Sequence, residues 1–304
     1  MKTNFIIIII ALFQLSCSKE SETINNIDTG TIPIQANVLN RIQSTPTYKG
    51  IYYDNFMYEV GDTAKENNFL RYCKKYSLTT ITLYDLENVL YNSNNYSKTS
   101  RFIRKARVSY GIKRVTAVVI DSLGALNMIS KYHINYKDTL KYFNAINLEL
   151  EWWNNASSWS IYKSHLSSIQ KWTKNQKTKI GCETYIGYYS NPTGIDSLMA
   201  DFLVKKCDRI LVHDYEAQPT FSYTKNRIDW IGRCSKYLNK IQEVIVIFST
   251  EPNFSGPYFH NNTFLTGYSS YVAAYKLTSF KGKNYMNITG YQIFDYGYAI
   301  KVRL

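Results

Sequence analysis

The residues best suited to chemistry lie in one stretch, Asn144-Ala145-Ile146-Asn147-Leu148-Glu149-Leu150-Glu151-Trp152-Trp153. A period of two puts Ile146, Leu148 and Leu150 on one face of a strand and Asn147, Glu149 and Glu151 on the other. With the apolar set against a layer of helices, an amide and two carboxylates point inward. Buried charges without partners are costly, and neighbouring carboxylates raise one another's pKa until one keeps its proton. A protonated acid beside an ionised one is the pair that general-acid cleavage of a glycosidic bond uses. The same residues are also compatible with a polar interior satisfied by lysines or tyrosines, and with a strand of inverted register.

Such a pair needs a frame. From Tyr48 onward, short β-branched or aromatic runs alternate with stretches of helical spacing. The strand candidates are 50–53, 79–84, 114–120, 145–152, 179–186, 209–214, 243–248 and 288–294. Helix candidates include 63–76, 99–110, 159–175, 195–206, 225–238 and 269–280. This alternation demands parallel pairing with right-handed crossovers, and the length from Tyr48 to Leu304 matches the roughly 250 residues of a closed eightfold barrel. The expected fold class is α/β, a (β/α)8 TIM-type barrel over 48–304, with an open doubly wound sheet as the structural alternative. The barrel is favoured because no glycine-rich phosphate turn follows any strand. Acidic or aromatic residues also gather at the strand ends, where such barrels hold their reacting groups. These ends carry Asp54, Asp85, Asp121, Glu149, Glu151, Glu183, Asp214 with Tyr215, Glu251 and Asp295. Only ten residues follow Phe294, too few for a regular last helix, which the barrel is expected to lack.

The central stretch resembles the fourth-strand motif of glycoside hydrolase family 18, the chitinases and endo-β-N-acetylglucosaminidases, which reads Asp-Gly-x-Asp-x-Asp-x-Glu. Asn144 to Glu151 aligns with it without a gap and gives Glu151 the place of the catalytic acid. The family's sixth strand usually ends in a Tyr-Asp or Asp-Tyr pair, and Ile210-Leu211-Val212-His213-Asp214-Tyr215 ends likewise. The resemblance implies substrate-assisted retaining hydrolysis of N-acetylglucosamine-containing glycans such as N-linked glycans, chitin fragments or peptidoglycan. Glu151 would protonate the leaving oxygen and Glu149 would hold the acetamido group as an oxazolinium forms. Asn147 would support Glu149 by a hydrogen bond, and Tyr215, beside Asp214, would position the acetamido carbonyl. Tyr291, Phe294 or Tyr296 would supply an aromatic floor next to Asp295. No cofactor or metal is implied. This chain departs from the motif by Glu149, Asn144 and Asn147 in place of aspartates. An added methylene moves a carboxylate by roughly an ångström, and misplacement of that order costs about 100-fold in rate. The site is therefore either retuned for hydrolysis or that of a non-catalytic glycan-binding protein; an envelope scaffold without a sugar site is the third reading.

Aromatic residues suit carbohydrate, whose apolar ring faces they pack against. Trp153 is the expected platform, since Trp152 shares the face of Leu150. Tyr185, Tyr188 and Tyr189 surround the end of the fifth strand, while ordinary core use accounts for most of the 28 tyrosines. Zincin, P-loop, dinucleotide and Gly-x-Ser-x-Gly motifs are absent. The formal charge of +13 suits anionic partners, but no run of five basic residues marks a nucleic-acid site.

At the N-terminus, Lys2, an apolar core from Phe5 to Phe13 and Ser16 read as a secretory signal over 1–16. Leu15-Ser16-Cys17 resembles the lipobox of bacterial lipoproteins, with Gln14 departing from it, and Ser18-Lys19-Glu20 loosely resembles an export tract of Bacteroidetes lipoproteins. The expectation is a monomeric outer-membrane lipoprotein of the cell envelope, anchored through Cys17 and facing the periplasm or the surface. Residues 17–47 would form the tether. Cys73, Cys182, Cys207 and Cys234 are not spaced for a metal cluster, and read as buried thiols or as a bridge between Cys207 and Cys234.

Overall fold

Runs dense in Val, Ile, Thr and Tyr become eight strands in the computed structural model, which describes residues 45–120, 122–153, 158–187 and 195–302. They are β1 (Tyr48–Tyr53), β2 (Thr80–Leu83), β3 (Arg114–Val119), β4 (Ala145–Leu148), β5 (Gly181–Ile186), β6 (Arg209–Asp214), β7 (Gln242–Ser249) and β8 (Met286–Phe294). Each pairs in parallel with the next in chain order, and β8 returns to β1, closing the barrel. The α/β barrel expected from the alternation is the fold observed.

Eleven α-helices surround the strands among the described residues: α1 (Phe56–Glu59), α2 (Thr63–Lys75), α3 (Leu86–Tyr91), α4 (Asn95–Tyr110), α5 (Ser122–Asn135), α6 (Ser158–Lys174), α7 (Ile195–Lys206), α8 (Phe221–Tyr237), α9 (Gly256–Asn261), α10 (Phe264–Leu277) and α11 (Tyr296–Val302). Of these, α2, α8 and α10 start on side-chain oxygen caps. Asp62 accepts from the N–H groups of Ala64 and Lys65 at 3.0 and 3.1 Å, and Thr263 accepts from Thr266 N at 2.9 Å. The last helix is a correction. Seven residues fit after Phe294, because Asp295 Oδ1 takes Tyr298 N at 3.0 Å and Tyr72 donates its hydroxyl to Ala299 O at 3.1 Å.

Alternation along each strand divides the apolar residues into two sets. Ile51, Tyr53, Ile146, Leu148, Val212 and Phe248 join the large core between sheet and helices. Tyr48, Tyr52, Val118, Tyr185, Leu211, Ile245 and Ile247 fill the lumen. The N-terminal end of the lumen is ionic. Glu183 is fully buried and its Oε1 accepts from Arg114 Nη2 and, at 2.6 Å, from Arg209 Nη1. Arg209 also donates to Glu243 at 2.6 Å and lies over the Tyr48 ring. Glu183, expected at the open end, thus belongs to the floor, because it sits two residues into β5 rather than at its exit.

The seam between β8 and β1 leaves no room for a side chain at Gly290. A Cβ there would lie 1.8 Å from the carbonyl oxygen of Tyr48, a backbone atom. Gly290→Ala is expected to destabilise the barrel by on the order of 3 kcal/mol, as overpacking against unyielding backbone does; urea unfolding monitored by circular dichroism measures it.

The proposed signal, Cys17 and the tether up to residue 44 lie outside the described residues, as do Asp121, Tyr188 and Tyr189. Among the described residues, no helix is long and apolar enough to cross a membrane.

Candidate active site

β4 ends at Leu148, four residues short of the expected strand end. Glu149 still extends the ladder through its N–H to Val119 O at 2.9 Å, after which Trp152 N turns back onto Leu150 O at 2.9 Å. The two glutamates therefore separate in environment. Glu149 stays at the lumen mouth, its Oε1 accepting from the Tyr84 hydroxyl at 2.8 Å and its Oε2 buried without a hydrogen-bond partner. Glu151 is exposed, and its Oε1 accepts from the Tyr185 hydroxyl at 3.1 Å.

Burial pushes the Glu149 carboxyl up to about 8, with the neighbouring Glu151 charge adding to the effect and the Tyr84 and Tyr185 hydroxyls opposing it. Glu149 is mainly protonated at neutral pH. The more buried member of the pair is Glu149, because the chain turns outward after it.

An aromatic wall rises beside this pair. His213 and Tyr215 share the lumen side of the β6 exit by alternation, and their rings stack at 4.1 Å with 3° between planes. Tyr185 stacks on the other face of His213 at 4.7 Å. Burial, helped by Arg227, pushes His213 down to about 3, so the stacked imidazole is neutral. Trp153 meets Tyr185 edge-on at 5.3 Å, and Tyr215 continues the wall to Phe254 at 5.1 Å and Phe294 at 6.1 Å. Phe294 in turn meets Tyr52 at 5.4 Å.

The Trp153 indole occupies the place a side chain would take on Gly187, where a Cβ would lie 2.6 Å from the ring. Gly187→Ala is expected to displace the indole toward solvent. The measurement is a red shift of tryptophan emission that disappears when the same substitution is combined with Trp153→Phe.

A second carboxylate pair lies across the mouth. The site of a Cβ on Gly297 is 3.3 Å from Asp295 Oδ1 and 3.3 Å from Asp54 Oδ2, so both acids converge on the start of α11. Asp54 Oδ1 also accepts from Gly297 N at 3.3 Å. Burial, then Asp54, then Glu251 push Asp295 up to about 6. Glu251 accepts from Ser249 Oγ at 2.8 Å, and Asp85 starts α3 in the left-handed conformation.

Of the residues singled out from sequence, Glu149, Glu151, Trp153, Tyr185, Tyr215 and Asp295 meet at this mouth. Four do not serve as expected. Asn147 faces the lumen one layer lower, and neither of its amide atoms has a partner, so the bond to Glu149 is absent. Tyr291 points to the helices, packing against Tyr268 at 5.7 Å and Phe248 at 6.2 Å, because the inward positions of β8 belong to Gly290 and Gln292. Asp214 also faces outward, accepting from Thr220 N at 2.9 Å, with burial pushing it up to about 8. Tyr296 belongs to the outer core, 4.8 Å from Phe69. Trp152 packs outward on Trp159, as expected. Tyr52, Tyr84, His213 and Phe254 are additions; the alternation Tyr48-x-Gly50-x-Tyr52 and Thr80-x-Thr82-x-Tyr84 carried the signal for the first two.

The four described cysteines are free thiols, so Cys207 and Cys234 form no bridge. No group of three or more His, Cys, Asp or Glu among the described residues is arranged to hold a metal ion.

No protein-family model matches the chain, and no curated protein matches it. Among solved structures, the fold is similar to that of a GH5_18 variant from Bifidobacterium longum subsp. longum ATCC 55813 in complex with Manb1-4GlcNAc. The identity is 9%, the TM-score is 0.48, and the likeness covers 82% of this chain and 69% of that one.

Proposed function

We propose that the barrel is a glycosidase acting on N-acetylglucosamine-containing glycans, with the mouth around Glu149 and Glu151 as its site. The observation that supports this reading is the split pair itself: one buried glutamate whose carboxyl pKa burial raises, and one exposed beside it, against an aromatic wall. Glu149 is the proton donor to the leaving oxygen. Glu151 stabilises the positive charge that develops as the bond breaks, and acts on the acetamido group that closes onto the anomeric carbon. Tyr185 steadies Glu151, while Tyr215 and Trp153 offer faces to sugar rings. The family 18 resemblance agrees in the kind of pair but gives the two glutamates opposite roles.

One observation favours a second reading, a glycan-binding protein without cleavage. Glu149 Oε2 is buried, and an acid must come within about 3 Å of the oxygen it protonates. The test is release of sugar from high-mannose and complex N-glycoproteins, chitooligosaccharides and peptidoglycan by wild type, Glu149→Gln and Glu151→Gln. Cleavage lost in Glu149→Gln supports the first reading. Binding without cleavage supports the second, and no binding of any glycan removes both. Export and anchoring through Cys17 belong to the same proposal; incorporation of labelled lipid by wild type and not by Cys17→Ser tests them.

A further inference from the structure

The mouth is acidic in a basic protein. The chain has 36 basic and 23 acidic residues, yet the ends of β1, β2, β4, β7 and β8 bring Asp54, Asp85, Glu149, Glu151, Glu251 and Asp295 around one opening. No Lys or Arg pairs with Asp54, Asp85, Glu149, Glu251 or Asp295 among the described residues; the bonds that their side chains accept come from tyrosine, serine and backbone. The lysines gather elsewhere. A cavity of about 450 Å³ near the opposite, N-terminal strand ends is lined by Lys174, Lys179, Lys205, Lys206 and Lys240 against Asp208 alone.

Two features beside the charge suit a ligand at the acidic mouth. Asn147, fully buried on the inward face beneath Glu149, has neither amide atom paired, and Glu149 Oε2 is likewise unpaired. The rings of Tyr52, Tyr215, Phe254 and Phe294 also pack against one another at the same strand ends. Carboxylates spread around aromatic faces attract ammonium groups, through charge and through cation–π contact. Their spread, with no metal-holding cluster among the described residues, suits an extended ligand rather than an ion.

We infer that the mouth prefers glycans bearing free amino groups, amino sugars that have lost some of their N-acetyl groups, over fully N-acetylated or anionic ones. This rests on the glycan reading above and adds the charge of its ligand. The rim acids Asp85 and Glu251 set the preference by attracting ammonium groups in sugars other than the one whose acetamido group closes onto the anomeric carbon.

The test compares binding of the full chain to oligomers of glucosamine, of N-acetylglucosamine and of galacturonic acid, at a mildly acidic pH where the sugar amines carry a proton. The glucosamine oligomer is expected to bind tightest, with an affinity that falls as salt rises. Asp85→Asn and Glu251→Gln are each expected to lower the ratio of glucosamine to N-acetylglucosamine affinity by about threefold, the size of one partly exposed charge contact. Melting curves confirm that both variants fold, and two separate substitutions guard against the loss of either. Tighter binding of the N-acetylated oligomer, or a ratio unmoved in both variants, overturns the inference while leaving the glycan reading in place. Tighter binding of the anionic oligomer also overturns it. Binding of none of the three removes the glycan reading itself.

Discussion

Glu149→Gln is expected to lower the rate of glycan cleavage by about 100-fold or more, the usual contribution of a general acid. The wild-type rate should fall on the alkaline side with a midpoint near pH 8, since burial holds the Glu149 proton to about that value and only the protonated form can donate. The residual activity of the variant should lack that limb. The same substitution has a second readout that needs no substrate. A carboxyl whose folded pKa is raised binds its proton more tightly in the folded chain, so stability is lost as pH rises toward that pKa. Glu149 and Asp214, both pushed up to about 8, act in this direction. The buried His133 and His213, pushed down to about 4 and about 3, act oppositely, because the unfolded chain takes up their protons below its ordinary value of 6.5. The two effects oppose one another below pH 6.5, and the acids act alone above it. The melting temperature is therefore expected to fall between pH 6.5 and 8, and Glu149→Gln to remove part of that fall. A melting temperature flat across the window in both proteins would contradict the burial of Glu149.

Glu183→Gln is expected to cost about 3–5 kcal/mol of stability, the usual result of removing one partner from a buried ion pair. Arg114 and Arg209 both donate to the same oxygen of this fully buried carboxylate, and a neutral amide leaves both guanidinium groups short of their partner. The comparison is Asp229→Asn. Asp229 pairs with Arg233 on the surface of α8, with the arginine 43% exposed, and exposed pairs contribute under about 1 kcal/mol. Urea unfolding of the two variants measures the difference, and equal losses would mean that the floor network contributes little.

The barrel was legible in the sequence because its strands are bounded by changes of period, and β6 begins and ends where the alternation does. Where the strand ends along a continuing pattern, the reading overshot. Leu148-Glu149-Leu150-Glu151 keeps the period of two, but the backbone leaves the sheet after Glu149 and turns where Trp152 N meets Leu150 O. That turn decides which glutamate is buried, and nothing in the alternation marks it. Tyr291 went astray for a related reason. The register shift between β7 and β8 at Val244 and Ile245 skips Thr289, which spends its hydroxyl on Glu243 and changes the side to which the following residues point. Short helices such as α3 and α9 were missed because six residues show little periodicity.

The seam between β1 and β8 has a consequence for synthesis. Tyr48 pairs with Gly290, so β1 waits for β8, some 240 residues later, before that edge is covered. Until then the nascent chain exposes the edges of β1 and of whichever strand has just emerged, a template for pairing with other chains. Asp295 and α11 arrive only after that closure, so the mouth is completed after β8 has emerged. A ribosome that stops before Met286 releases a chain with two open edges and an unfinished site, a product for proteases rather than a weaker version of the whole.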